Sequence, residues 1–286
     1  MAKHIHPTAV VDPRATLADG VEVGPYSIIG AEVTIGEGTR IGPHVVIEGK
    51  TRIGKNNKIV GQASIGGEPQ DISYRGENTE VEIGDENMIR EFVTINRGTR
   101  KGGALTHVGS GCLLMACSHI AHDCHIEDKV ILANNVMLAG HVHIGKGANV
   151  SGAVGAHHFV TVGEYAYVGG MTRIEHDVPP YMIVEGRRCR VRNVNFVGLQ
   201  RSGFNDEDIE ALRAAYRRLF RSGDPRSHVI EEIKADTTTT PIVQRLVASL
   251  EQTELGKKGR YREALREEFA RLGAERLGLE TTLNKS

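Results

Sequence analysis

Tryptophan is absent from this chain, and aromatic residues make up only 5% of it. A core built on aromatic bulk is excluded. Neither sign of charge is in excess, with 35 basic side chains against 36 acidic ones. A general nucleic-acid binder needs a net basic surface, so no nucleic-acid partner is expected. The four cysteines, Cys112, Cys117, Cys124 and Cys189, form no Cys-x-x-Cys pair, which argues against a structural zinc site. No apolar run at the amino terminus is long enough for a signal peptide or a membrane span, so a cytoplasmic protein without integral membrane contact is expected. What is plentiful is glycine, at 34 of 286 residues. A narrow core of Ile, Val, Ala and Gly fits this composition.

The organising signal is an apolar residue every six positions. One run goes from Ile5 through Val11, Leu17, Val23 and Ile29 to Ile65, a second covers Ile83, Ile89 and Ile95, and a third runs from Val108 to Ile174. Each hexad reads as a short strand and a turn. The leading apolar residue and the small residue two places before it point inward, because strand side chains alternate. Cys112 and Cys124 fall on that small position and read as core residues rather than reactive thiols. Three hexads close one coil, and no coil buries its apolar face alone, so many must stack as a parallel β-helix. Two interruptions, Gly66–Glu82 and Arg97–Thr106, read as external loops, and loops on a rigid solenoid are usually functional.

After Asp177-Val178-Pro179-Pro180 the pattern ends. The division expected is a β-helix over residues 1–184, then a basic linker and an α-helical domain over 185–286. The linker is the irregular stretch Glu185–Arg192. Asn205 is a candidate N-cap for a helix with Ile209, Leu212, Tyr216 and Leu219 on its apolar face, Thr240-Pro241 opens another, and a weaker amphipathic stretch covers Tyr261 to Leu277. These helices are expected against the end of the prism or a neighbouring subunit.

Six of the 13 histidines crowd into the third run: His119, His122, His125, His141, His143 and His157, with His158 adjacent. Positions three hexads apart stack, so Gly140 lies one coil above His122, and His141 above Asp123. This set suits acyl transfer. An imidazole near its ordinary pKa of about 6.5 can take a proton from a hydroxyl, a carboxylate can fix its tautomer, and a glycine N–H can approach an oxyanion. Histidines on solvated turns with no role are the plain alternative, and the column His107, His125, His143 is read that way. A zinc site shared between subunits, as in the γ-class carbonic anhydrases, is the rival. That family's motif pairs histidines five positions apart, and no two histidines here are so spaced, so no metal is expected.

The combination Ser118-His119-Ile120-Ala121-His122-Asp123-Cys124, Ile131-Leu132-Ala133-Asn134-Asn135 and Leu138-Ala139-Gly140-His141 resembles the UDP-N-acetylglucosamine O-acyltransferases of lipid A synthesis. Gly66–Gly76, Thr94–Thr99 and Asp177–Tyr181 add to the resemblance, which covers roughly residues 1–255. It implies a homotrimer of left-handed β-helices with a helical C-terminal domain and clefts between subunits. The reaction implied moves a 3-hydroxyacyl chain from acyl carrier protein to the sugar 3-OH. No resident cofactor is implied, because 4′-phosphopantetheine arrives on the donor. By position, His122 is the general base, Asp123 its partner and Gly140 the oxyanion donor. His119, His141 and His157 line the cleft, and Gln70 and Asp71 contact the nucleotide sugar and the acyl hydroxyl. Asn195 and Arg201 lie on the nucleotide or donor side, and Gly170 leaves the acyl groove open. The basic run Arg187–Arg192 suits an acidic carrier. The chain departs from the family pattern at His158 (usually Gln), Val197 (Glu), Ser202 (Arg) and Arg188 (commonly His), and continues beyond about residue 258. A modified acceptor with an amine at position 3, or a coenzyme A-dependent acetyltransferase of the same fold, therefore stays open as an alternative.

Overall fold

The computed structural model describes residues 2–279. Its first part is a three-sided prism of parallel strands, most of them two residues long. Among the described residues the three faces hold 11, 9 and 8 strands, and all but the last strand of the first face pair in parallel with strands one coil away. The register steps by three hexads through most of the prism, for example His119↔Met137 and His125↔His143. The leading apolar residues fill the interior: Ile29, Ile47, Ile65, Ile95, Ile120 and Leu138 are at most 1% exposed on one face alone. Backbone N–H groups bond to carbonyls of the next coil at 2.7–3.3 Å, as in His119 N to Val136 O and Gly145 N to Val162 O, so the ladder runs along the prism axis.

The small inward position is the part of the core that carries polar atoms. Asn57 and Asn87 are 1% exposed. Asn57 Oδ1 accepts from Asn87 N at 2.9 Å, and Asn87 Oδ1 accepts from Cys112 N at 2.7 Å. Their amide nitrogens donate to Gly84 O and Gly109 O. Each buried amide thus binds coil to coil through both its oxygen and its nitrogen. Cys112 and Cys124 sit at the equivalent position, 2% and 0% exposed, and burial pushes their thiols up to about 11 and about 12.

Both interruptions leave the prism at the same edge, between the second and third faces. The pairs Ile53↔Ile83 and Ile83↔Val108 enclose longer stretches of chain than the three hexads between His125 and His143. The first loop runs between the strands Ser64–Gly67 and Glu80–Ile83, the second between Thr94–Asn96 and Leu105–Val108. The second loop is a packed 3₁₀ turn over Arg100–Gly102.

The segment Glu185–Arg192, expected as an irregular basic linker, is instead part of an antiparallel pair. Met182–Glu185 and Arg190–Val194 extend the first face, with Gly186 at positive φ in the turn. Val184 and Val194 are buried while Arg190 and Arg192 are exposed, so the basic residues masked a strand period. Five α-helices and one 3₁₀ helix (Tyr261–Leu265) follow among the described residues: α1 (Phe196–Arg201), α2 (Asp206–Arg221), α3 (Arg226–Ala235), α4 (Pro241–Leu255) and, after the 3₁₀ helix, α5 (Arg266–Arg276). Asn205 caps α2 by accepting from Asp208 N, and Pro241 opens α4. Helices α1 to α4 share a second core with Tyr181, Met182 and Val194, in which Leu199, Leu212, Leu246 and Leu250 are buried. α5 is different. It packs beside the prism against the Arg100–Gly102 turn rather than at its end. Residues 280–286 of the expected helical domain, and Met1, lie outside the described residues.

Asn87→Ala should lower unfolding stability by about 1–3 kcal/mol, because the Cys112 N–H would be left buried without an acceptor. Denaturant titration measures it, and a loss below about 0.5 kcal/mol, the level of a surface change, would contradict the structural role.

Candidate active site

The edge that carries both loops also carries the histidines. In three successive coils the chain turns from the second to the third face with one residue at positive φ: Asp123 (61°), His141 (65°) and Phe159 (64°). These three lie one above another, three hexads apart in sequence. A positive φ at a non-glycine residue is uncommon. Here the inter-coil ladder holds it, through His141 N to His122 O at 3.0 Å and Phe159 N to Gly140 O at 3.3 Å.

His122 and Asp123 are 5% and 3% exposed. His122 Nδ1 lies 2.7 Å from Asp123 Oδ2. Thr99 holds the carboxylate from the other side, its N–H donating to Oδ1 at 2.7 Å and its hydroxyl to Oδ2 at 2.6 Å. Thr106 Oγ1 accepts from the Asp123 backbone N–H at 2.8 Å. With Nδ1–H donated to the carboxylate, Nε2 is the free, basic nitrogen, and His122 lines a cavity. Asp71 Oδ2 stands 3.9 Å from that nitrogen. Although burial pushes the Asp71 carboxyl up, the Lys101 ammonium at 2.6 Å and the two Ser73 donors outweigh it and hold the acid well below its ordinary range. The Lys101–Asp71 pair also ties the two inserted loops together.

Gly140 meets the His122 ring. A Cβ there would fall 2.4 Å from His122 Cε1, so no side chain fits. Among the described residues no backbone carbonyl accepts from the Gly140 N–H. His141 stacks on Phe159 at 4.2 Å and meets His122 edge-on at 5.1 Å. Burial, then His122, His158 and Arg262, lower its pKa to about 3. Its Nδ1 is buried without a partner, 3.8 Å from Asp123 Oδ2. His119, with Nδ1 2.7 Å from Thr94 Oγ1, and His158 are likewise shifted toward the neutral form by burial and neighbouring imidazoles.

Two adjoining hollows of about 470 and 450 Å³ meet at Gln70, His122, His157 and His158. The first runs along the second face past His119, Met137, Gly155 and Arg173. Gly155 was not singled out from the sequence, yet a Cβ there would meet nothing within 4 Å, which leaves a strand side chain's worth of open groove. The second hollow holds Asp71, Lys101, His141, Phe159, Glu263 and Arg266. Thr99, Lys101, Phe159 and the two tail residues were also missed; only their fold-made proximity marks them.

Asn195 and Arg201 do not join this cluster within one chain. They line a separate cavity of about 600 Å³ on the first face with Tyr165, Val197 and Ser202. The Asn195 side chain is engaged in the fold, accepting from Gly198 N and donating to Tyr165 O at 2.8 Å. Arg188 lines a fourth hollow beside Phe220 and Arg226. Gly170 is exposed at the far edge of the second face, where a Cβ would come 3.3 Å from Gly152 O. The column His107, His125, His143 is a stack on the third face, with rings 4.7 and 5.3 Å apart. His122, Asp123 and His141 bring ligand atoms within 4.8 Å of one another, as do His125, Glu127 and His143. In the first group both carboxylate oxygens already accept from Thr99, which fits an oriented base better than a metal ligand.

The depressed histidines make a pH prediction. An imidazole with a lower pKa folded than unfolded leaves the unfolded chain binding more protons below about pH 6.5. Its contribution is therefore complete above that pH and is lost as the pH falls toward 3, the value for His141. The melting temperature should drop between about pH 7.5 and pH 5, and His141→Gln should flatten that drop. A variant with the unchanged slope would remove His141 as its source.

The family model described as UDP-N-acetylglucosamine O-acyltransferase, domain 2, matches residues 177–259, and the bacterial transferase hexapeptide model matches residues 32–67 and 105–140. The acyl-[acyl-carrier-protein]–UDP-N-acetylglucosamine O-acyltransferase of Xylella fastidiosa is 47% identical over 258 residues, covering 89% of this chain and 98% of its own length. The Synechocystis protein of the same name is 49% identical over 199 residues, covering 69% of this chain and 71% of its own. The solved structure of LpxA from Acinetobacter baumannii superposes with a TM-score of 0.83 at 46% identity, covering 87% of this chain and 96% of that one. The fold is thus the left-handed hexapeptide β-helix with a helical C-terminal region, and the chain belongs to the UDP-N-acetylglucosamine O-acyltransferase family.

Proposed function

We infer that this chain moves a 3-hydroxyacyl group from acyl carrier protein to the 3-position of UDP-N-acetylglucosamine, the first step of lipid A synthesis. The observation that carries the reading is the oriented pair His122–Asp123, 2.7 Å apart, under an unengaged Gly140 N–H. His122 Nε2 takes the proton of the sugar hydroxyl as its oxygen attacks the thioester carbonyl. Asp123 stabilises the imidazolium, and Thr99 keeps the carboxylate in place. The Gly140 N–H donates to the tetrahedral oxyanion. On collapse the carbon–sulfur bond breaks, and the carrier's phosphopantetheine thiolate takes the proton back from His122. Every group in this scheme belongs to the chain or its substrates, so no resident cofactor or metal enters it.

The two hollows suit the two substrates. The groove past Met137 and Gly155 suits an acyl chain, with Gly170 beyond it. The polar hollow at Gln70, Asp71, His141 and His157 suits the sugar. Asn195 and Arg201 act on this reading in a homotrimer, where the first-face cavity of one subunit completes the His122 edge of the next. Among the described residues no helix is long and apolar enough to cross a membrane. On the proposed reaction both reactants are soluble, and the cytoplasm is its proposed location.

Purified protein with UDP-N-acetylglucosamine and 3-hydroxyacyl carrier proteins should transfer acyl chains. His122→Ala should abolish turnover, and Gly140→Ala should cut kcat by about two orders of magnitude by displacing the imidazole. Retained activity in His122→Ala, or activity lost on zinc chelation and restored by zinc, would sink the mechanism. For the shared site, inactive His122→Ala and Arg201→Ala chains refolded together should regain turnover. A mixture as inactive as its components would show that one chain holds the whole site.

A further inference from the structure

The family model ends at residue 259, and relatives matched over 98% of their own length leave part of this chain unmatched. The segment beyond residue 259 is built into the catalytic edge. Asp177 N donates to Gly259 O at 2.7 Å and Tyr261 N to Asp177 Oδ2 at 2.9 Å. Arg260 donates to Glu175 O at 3.0 Å and pairs with Glu263 at 2.6 Å. Arg262 Nε donates to His141 O at 3.1 Å. α5 then runs to the Arg100–Gly102 turn, where a Cβ on Gly273 would lie 1.9 Å from Arg100 O, and a Cβ on Gly102 of the same turn would lie 2.0 Å from Asp123 Cγ. The approach of α5 to the turn is backbone to backbone, which fixes where the helix presents its first turn.

That first turn presents Arg266. Its guanidinium lies 4.3 Å from the Phe159 ring centre, and Phe159 stacks in turn on His141. Arg266 and Glu263 form one wall of the hollow that His122 opens into. Glu263 is shared between Arg260 and Arg266, at 2.6 and 3.0 Å, so the trio keeps a net positive charge. Across the hollow Lys101 is neutralised by Asp71. Arg266 is thus the cation on this wall with charge to spare, held over an aromatic ring and exposed to the hollow.

We propose that Arg266, supplied by the C-terminal segment, is a specificity-determining residue that binds a phosphate of a substrate in the hollow beside His122. A guanidinium suits a phosphate through two parallel N–H donors. The proposal rests on the acyltransferase reading for its ligand: the phosphate belongs to the diphosphate of the nucleotide sugar or to the phosphopantetheine of the donor.

Calorimetry on the full-length protein should show UDP-N-acetylglucosamine or phosphopantetheine binding about tenfold more weakly to Arg266→Ala than to wild type, with Arg266→Lys in between. The ligand whose Kd moves identifies the phosphate, and its KM should rise in parallel with little change in kcat. Arg271→Ala on the outer side of α5, where Arg271 pairs with Glu275 at 2.7 Å, should bind both as wild type does. Unchanged Kd for both ligands in a folded Arg266→Ala protein overturns the proposal even if transfer persists. A wild type that binds but never transfers acyl chains, with the Arg266 effect intact, would overturn the reaction and leave the phosphate site standing.

Discussion

The constraint on which everything else depends is the inter-coil ladder. Each strand is too short to be stable alone, and its backbone groups bond only to the coils above and below. Stacking in fixed register forces chemically different residues into the same corner once per coil. The edge between the second and third faces is one such corner. It collects Asp123, His141 and Phe159 at positive φ, with His122 and Gly140 one position before the first two. Any slip by a single residue would turn these side chains to the other face of the strand. The rigidity of the solenoid is therefore what makes a 2.7 Å contact between His122 and Asp123 repeatable from molecule to molecule.

On that rigid edge the electrostatics are arranged by burial. Several imidazoles share a small volume, and burial shifts His119, His141 and His158 toward the neutral form. A row of positive charges around His122 would otherwise oppose the imidazolium that forms in the proposed proton transfer. The carboxylates are held by hydrogen bonds and an ion pair. Asp123 accepts three close hydrogen bonds, from Thr99 twice and from His122 once. Asp71 is held charged by Lys101 and Ser73. One carboxylate orients the His122 ring through Nδ1, and the other stands 3.9 Å from its Nε2.

The two inserted loops and α5 act on this edge as an outer shell. The first loop brings Gln70 and Asp71, the second Thr99 and Lys101, and α5 rests on the second loop while Glu263 and Arg266 stand across the hollow. Gly102 and Gly273 are the points where neighbouring atoms approach too closely for any side chain. The polar hollow thus has walls from stretches of sequence far apart along the chain, all returned to one edge.

The hexad phase, the inward Cys112 and Cys124, the stacking of Gly140 over His122 and the places where loops leave the prism were all legible in the sequence. A fixed period converts residue number directly into position. Where the period stops, so does that conversion. Glu185–Arg192 reads as a linker because its arginines hide a strand whose pairing is antiparallel. Asn195 and Arg201 can be matched to a family pattern, yet only the folded chain puts them on another face from His122. α5 has so weak an amphipathic pattern that its partner could not be inferred; a loop backbone, rather than an apolar groove, receives it. The sequence by itself determined the solenoid and which residues stack at the His122 corner, because local repetition and register suffice for both. The tertiary structure alone decided which distant loops, faces and tail residues surround that corner, because those contacts rest on packing between segments that share no period.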